Sequence, residues 1–303
     1  MNRPRCSTPP RRSASAPGRA ARARRSRAVG RLITATLVAA VLTVSGVLTA
    51  GGTPSAGYVS VPADATPRPT TAPPTTASPT DLSWILPLPS ALAGHAIRRM
   101  PTQRHVVALT FNAAWNEQGV DEVLKVLDRY DVPATFFLTG QFAERHPDAA
   151  RAMVTAGHGI ASHSYSHPHM DELNRQAREL EVRQADRALR KAIGTPPLPF
   201  FRFPYGDTTP QEIAEVNALG FADIEWADDT NGYLGIAGGM TTQKVIARAL
   251  RAVVPGAIIQ MHVGTPRGTG TVLDAQALPQ LIKSIRARGY RITDLRSLLV
   301  GAH

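Results

Sequence analysis

The chain of 303 residues carries 34 basic and 23 acidic residues, a formal charge of +11, and one cysteine. That length is enough for a large buried core, and a single Cys excludes both a disulfide framework and a Cys-based zinc site. The charge is uneven: residues 1–68 hold 11 arginines and one acid, whereas residues 69–303 hold 23 basic and 22 acidic residues. A nearly neutral body with no nucleic-acid-binding motif excludes nucleic acid as the partner.

Taken in chain order, residues 1–31 form a basic tail with ten arginines. Leu32–Ala50 is a run of 19 uncharged residues rich in Leu, Val, Ala and Thr. As a helix it would rise about 28 Å, close to the hydrocarbon thickness of a bilayer. Arginines on its N-terminal side predict a cytoplasmic tail and an exported body. Segment 32–52 is therefore read as a transmembrane anchor, with a cleaved signal as the alternative. Residues 53–80 contain seven Pro and seven Thr; they read as a disordered, extended linker, because so little apolar surface does not offset ordering entropy. Cys6 falls on the cytoplasmic side.

The body, 81–303, alternates strand and helix. Apolar runs of strand length occur at Val106–Phe111, Ala134–Leu138, Gly159–Ser162, Phe200–Phe203, Phe221–Trp226, Ala257–Met261 and Tyr290–Thr293. Helix-period segments lie between most of them, at Val120–Tyr130, His146–Ala156, Asp171–Ile193, Pro210–Leu219, Thr242–Val254 and Asp274–Arg288. Gly157, Gly194, Gly220 and Gly289 stand where helix C-terminal caps belong. This order predicts parallel strands buried on both faces, as an incomplete barrel or an open doubly wound sheet. In either, chemistry belongs at the C-terminal ends of the strands.

Polar residues fall at those ends: Asn112, His163 and His167, Arg202 to Tyr205, Asp228 and Asp229, and His262. His163 and His167, four residues apart, suit two neutral nitrogens on one cation, or else are solvated or capping histidines. His158 and His169 are given no role in the chemistry. Arg202, before a Phe-Pro turn, either orients a carboxylate or forms a structural ion pair. His262, at the end of a buried strand, is either a hydrogen-bonded core histidine or a catalyst.

In this order and spacing, Leu109-Thr-Phe111, Ala134-Thr-Phe-Phe-Leu-Thr-Gly140, Ser162-His-Ser-Tyr-Ser-His-Pro168, Arg202-Phe-Pro-Tyr205 and Met261-His262 resemble the polysaccharide deacetylase family. These are the NodB-homology domains of carbohydrate esterase family 4, and the resemblance spans about residues 104–300. It implies a distorted (β/α)7 barrel and metal-dependent removal of acetyl from N-acetylglucosamine units of a polysaccharide. By motif, His163 and His167 would be ligands of a divalent metal, zinc first, with cobalt or another divalent ion as alternatives. His262 would be the general acid, Arg202 would orient the base, and the Tyr205 backbone N–H would face the oxyanion. For an exported, membrane-tethered protein, peptidoglycan is the expected substrate; the oligomeric state is not legible.

The sequence departs from the family pattern in three places. Its first motif, usually Thr-Phe-Asp-Asp, reads Thr110-Phe-Asn112-Ala113, placing an amide at the base position and a methyl at a ligand position. Glu117 or Asp121 could supply the missing carboxylate. In the fourth motif Gly232 stands where an Asp would tune the acid histidine, leaving Asp228 or Asp229 as substitutes. Gln260 stands where a Leu usually lines the acetate pocket. Two functions therefore stay open: a divergent deacetylase, or a glycan-binding pseudoenzyme.

Overall fold

The computed structural model describes residues 88–300 apart from 266, 267 and 269. The tail (1–31), the expected membrane segment (32–52) and the linker (53–80) lie outside these. Among the described residues no helix is long and apolar enough to cross a membrane.

Eight strands and eight helices follow one another: β1 (Val106–Ala113), α1 (Val120–Arg129), β2 (Thr135–Leu138), α2 (Gly140–Arg145), α3 (Pro147–Thr155), β3 (Gly159–Ser162), α4 (Arg175–Ile193), β4 (Phe200–Phe201), α5 (Pro210–Ala218), β5 (Ala222–Asp223), β6 (Asp228–Asp229), α6 (Thr242–Ala252), β7 (Ile258–His262), α7 (Leu273–Ala287), β8 (Arg291–Thr293) and α8 (Ser297–Val300). All named pairings are parallel, in the order β5-β4-β3-β2-β1-β7-β6, with β8 joined to the start of β1. The architecture is an α/β half-barrel of parallel strands.

Each expected apolar run contains a strand, with one revision. Phe221–Trp226, read as a single strand, holds β5, which pairs with β4, and the chain then departs at Ile224. It rejoins the sheet as β6, paired with β7. The two ends of the strand order are thus consecutive in sequence, separated only by Ile224–Ala227. Across that gap Ile97 bridges Ile224 and Arg99 bridges Ala257.

Local chemistry explains the elements. Strands β1, β2, β3 and β7 are almost wholly buried, so they read as continuous apolar runs rather than as alternation. In α1, Val120, Val123, Val126 and Leu127 are buried on one face, while Asp121 and Glu122 sit in the first turn. Helix α5 starts on a capping box between Thr209 and Glu212. Helix α4 closes at Gly194, whose φ of 75° is the left-handed conformation that a side chain disfavours. Between sheet and helices, Phe111, Phe136, Leu138, Phe142, Met153, Ile259, Leu278 and Ile282 form the main core. Full burial of each such side chain is worth roughly 1.5–3 kcal/mol.

Candidate active site

The C-terminal ends of β1, β3, β4, β6 and β7 converge on one solvent-open cleft of about 150 Å³. Asn112, His163, His167, Tyr205, Asp229 and His262 line it, with Trp115, Trp226, Tyr233 and Gln260. Every residue expected in the site borders this cleft except Arg202, which lies immediately behind Asn112.

The register places Asn112 beside His262 on β7 and beside Phe137 on β2. The fully buried Arg202 guanidinium fixes it from behind. Its Nη1 donates to Asn112 Oδ1 at 2.9 Å, its Nε to the Ile224 carbonyl at 2.9 Å and its Nη2 to the Glu225 carbonyl at 3.4 Å. Its plane lies over the Phe137 ring, 3.9 Å from the centroid. Burial lowers the Arg202 pKa to about 10, and the charges of Glu225, Asp229 and Asp223 counter that effect. The carboxyls of Asp223 and Glu225 are themselves buried beside one another. Burial raises both carboxyl pKa values, and Glu225 adds to the shift at Asp223. With an amide at residue 112, the carboxyls whose charges favour the Arg202 guanidinium are Glu225, Asp229 and Asp223.

The two cleft histidines are held differently. His163 Nδ1 lies 2.9 Å from the Arg202 carbonyl, an acceptor only, which assigns the proton to Nδ1 and a lone pair to Nε2. Burial first, and His167 second, keep the His163 pKa well below its usual value. Burial lowers that of His167 to about 4. The rings stand edge to face, centroids 4.8 Å apart. Two neutral imidazoles are suitable cation ligands, but the donor set stops there. Among the described residues no group of three His, Cys, Asp or Glu could hold a metal ion. Ala113, at the expected ligand position, is packed in the core; the neighbouring Ala114 borders the cleft.

The loop carrying the histidines depends on residues the sequence did not single out. Glu181 on α4 accepts from the Tyr165 and Ser166 amides at 2.9 and 2.8 Å and from Ser166 Oγ at 2.7 Å. The first amides of α2 donate to the Ser164 and Tyr165 carbonyls, and the His167 amide donates to Ser164 Oγ. Backbone conformation is a further signal. Of the five described non-glycine residues with positive φ, four flank the cleft or its loops: Ser164, His167, Tyr205 and Asn231. Such backbone collects at functional sites, and for a residue as bulky as Tyr it is a clear outlier. The Tyr205 amide makes no hydrogen bond within the described residues. His169, given no role from sequence, stacks on the Tyr205 ring at 3.9 Å; His158 packs against Phe136 and does not border the cleft.

At the opposite wall, His262 presents Nδ1 to two carboxylates, Asp274 Oδ2 at 3.6 Å and Asp229 Oδ1 at 3.8 Å. Asp229 is held by the Asn231 amide at 2.8 Å and by Gln260 Nε2 at 2.9 Å. Asp228 instead pairs with Arg248 and Arg251 and does not border the cleft. Neither alternative base reaches the cleft: Glu117 pairs with His146 at 3.3 Å, and Asp121 is exposed on α1. Among the described residues Asp229 is the one carboxylate lining it.

A polysaccharide deacetylase family model matches residues 99–224. A peptidoglycan-N-acetylglucosamine deacetylase of Bacillus cereus is 28% identical over 218 residues, covering 71% of this chain and 74% of that protein. A chitooligosaccharide deacetylase of Bradyrhizobium is 32% identical over 200 residues, covering 63% of this chain and 90% of that protein. Among solved structures, a carbohydrate esterase family 4 pseudoenzyme from Bacillus anthracis superposes with a TM-score of 0.62 at 26% identity, covering 69% of this chain and 70% of that one. A mutant of that pseudoenzyme with restored enzymatic activity gives the same TM-score of 0.62.

Proposed function

Because this chain belongs to the polysaccharide deacetylase family, the NodB-homology domains of carbohydrate esterase family 4, we propose that it hydrolyses N-acetyl groups of an amino-sugar polysaccharide, peptidoglycan in particular. The observation that carries this reading is the meeting of His163, His167, Asn112 and His262 at one cleft. Its aromatic border, Trp115, Tyr205, Trp226 and Tyr233, offers apolar surface to a sugar ring. The arginine-rich tail and uncharged run at 32–52 support a membrane anchor, with the body at the outer face. The 28 residues of 53–80, rich in Pro and Thr, would span roughly 85 Å at the polyproline rise, far enough to meet wall polymer.

His163 and His167 are the residues that would hold a divalent metal, zinc or cobalt. Such an ion supplies Lewis-acid activation of a water and of the acetyl carbonyl. The chain's own residues do the rest. Asn112, its Oδ1 engaged by Arg202, turns its amide hydrogens toward substrate; it orients the acetyl group or the water but takes no proton. The Tyr205 N–H donates to the developing oxyanion. His262 delivers a proton to the leaving amine. The acid residue of this site is present and its base is reduced to an amide, so slow turnover is expected.

The second reading, a membrane-tethered glycan-binding protein without turnover, is favoured by one observation: Asn112 and Ala113 replace both carboxylates of the first motif. Acetate release from N-acetylated chitooligosaccharides and peptidoglycan fragments, with added Zn²⁺ or Co²⁺, decides between them. Release that depends on His262 supports the deacetylase; none, with saturable glycan binding, establishes the second reading.

A further inference from the structure

We propose that Asp274, at the start of α7, is the positioning residue for His262, occupying space that Gly232 leaves open. The assignment rests on the acid role given to His262 above, and it adds a residue from an element that carries none of the family motifs. Asp274 is fully buried, an unusual place for a carboxylate at a helix start. Its Oδ2 accepts the His262 backbone N–H at 3.0 Å and faces the imidazole Nδ1 of the same residue at 3.6 Å. One carboxylate oxygen thus addresses both the main chain and the ring of His262. The second oxygen, Oδ1, is buried without a hydrogen-bond partner, so capacity remains on this carboxylate.

Asp229 is differently placed: the Asn231 amide and Gln260 already engage its two oxygens. The space that admits Asp274 is specific. A β-carbon added at Gly232 would lie 2.4 Å from Asp274 Cγ and 2.4 and 2.6 Å from its two oxygens, so any side chain at 232 and a carboxylate at 274 exclude one another. A second carboxyl beside His262, in addition to Asp229, therefore arrives from α7, in the space where a side chain at 232 would stand. Apo catalytic contacts are commonly long and tighten on substrate binding, and a carboxylate on Nδ1 both fixes the tautomer and steadies the imidazolium whose Nε2–H would be delivered to the amine.

The test uses the full chain and four variants: Asp274→Asn, Asp274→Ala, Gly232→Asp, and the exchange Gly232→Asp with Asp274→Ala. The first readout is the ring ¹⁵N resonances of His262, which report its tautomer without any need for turnover. The second is acetate release in an Asn112→Asp background. Asp274→Asn is expected to change the His262 tautomer pattern and to reduce acetate release at least tenfold in kcat with little change in KM. Gly232→Asp alone is expected to unfold at lower temperature than wild type, and the exchange to recover melting temperature and ring signals together. Unchanged His262 ring signals in folded Asp274→Asn would overturn the proposal, as would an exchange no better than Asp274→Ala alone. If no variant releases acetate, the deacetylase reading fails, while the ring signals still decide the role of Asp274.

Discussion

Asn112→Asp is the most direct test of what this site has lost. Asn112 Oδ1 already receives Arg202 Nη1 at 2.9 Å, so the substitution changes charge but hardly shape. Opposite charges about 4 Å apart attract by roughly 4 kcal/mol at an effective dielectric of 20, equivalent to about three units of carboxyl pKa. That is comparable to the burial penalty at this position, 7% exposed, so the introduced carboxyl stays near its ordinary range, is ionised at neutral pH and can accept a proton. A positioned general base contributes 10²–10⁴ in rate, or about 2.7–5.4 kcal/mol of barrier. Acetate release from chitooligosaccharide at saturating Co²⁺ should rise by that factor over wild type. It should vanish again when His262→Ala is added. A variant that melts like wild type, binds substrate and shows no gain would refute the argument that the missing base limits this site.

Two other outcomes follow from the surroundings. Glu181→Gln replaces a charged acceptor of three hydrogen bonds in the histidine loop with a neutral one; loosening the support of metal-binding imidazoles typically lowers affinity 10–100-fold, which Co²⁺ titration would read while the melting temperature moves little. Unchanged Co²⁺ affinity would show that α4 does not hold the loop. Asp223→Asn tests the buried acid pair. The folded-state pKa of Asp223 is raised, so its contribution to stability is present below the unfolded value near 3.8 and is lost as pH rises through the folded value. Between pH 4 and 9 the wild type should therefore lose more stability than Asp223→Asn, which keeps Glu225 to balance Arg202; parallel melting curves across that range would contradict the raised pKa.

Much of this molecule could be read from its chain because parallel strands buried on both faces leave an unmistakable apolar signature, and because chemistry falls where each such run stops. Asn112, His163 and His262 were legible for that reason. What the sequence hid was set by contacts distant along the chain. Helix α2 has six residues and begins with glycine, too short for a period to show, yet its first amides hold the histidine loop. Glu181 looks like any acid on an amphipathic helix. Asp274 was read only as the opening acid of α7, and nothing in the linear order reveals that it reaches His262. The division of Phe221–Trp226 into β5 and β6 arises because the chain changes neighbour from β4 to β7, a choice made by the closing sheet rather than by local propensity.

The left-handed corners around the cleft draw on the stability of the whole domain. Asn231 adopts that conformation readily, but Ser164, His167 and above all Tyr205 do so at roughly 1–3 kcal/mol each, in a domain class whose entire net stability is about 5–15 kcal/mol. Drift toward glycine at any of them would relieve the strain. The form of the cleft is thus held at a cost in global stability, in the side chains of His167 and Tyr205 rather than in glycine.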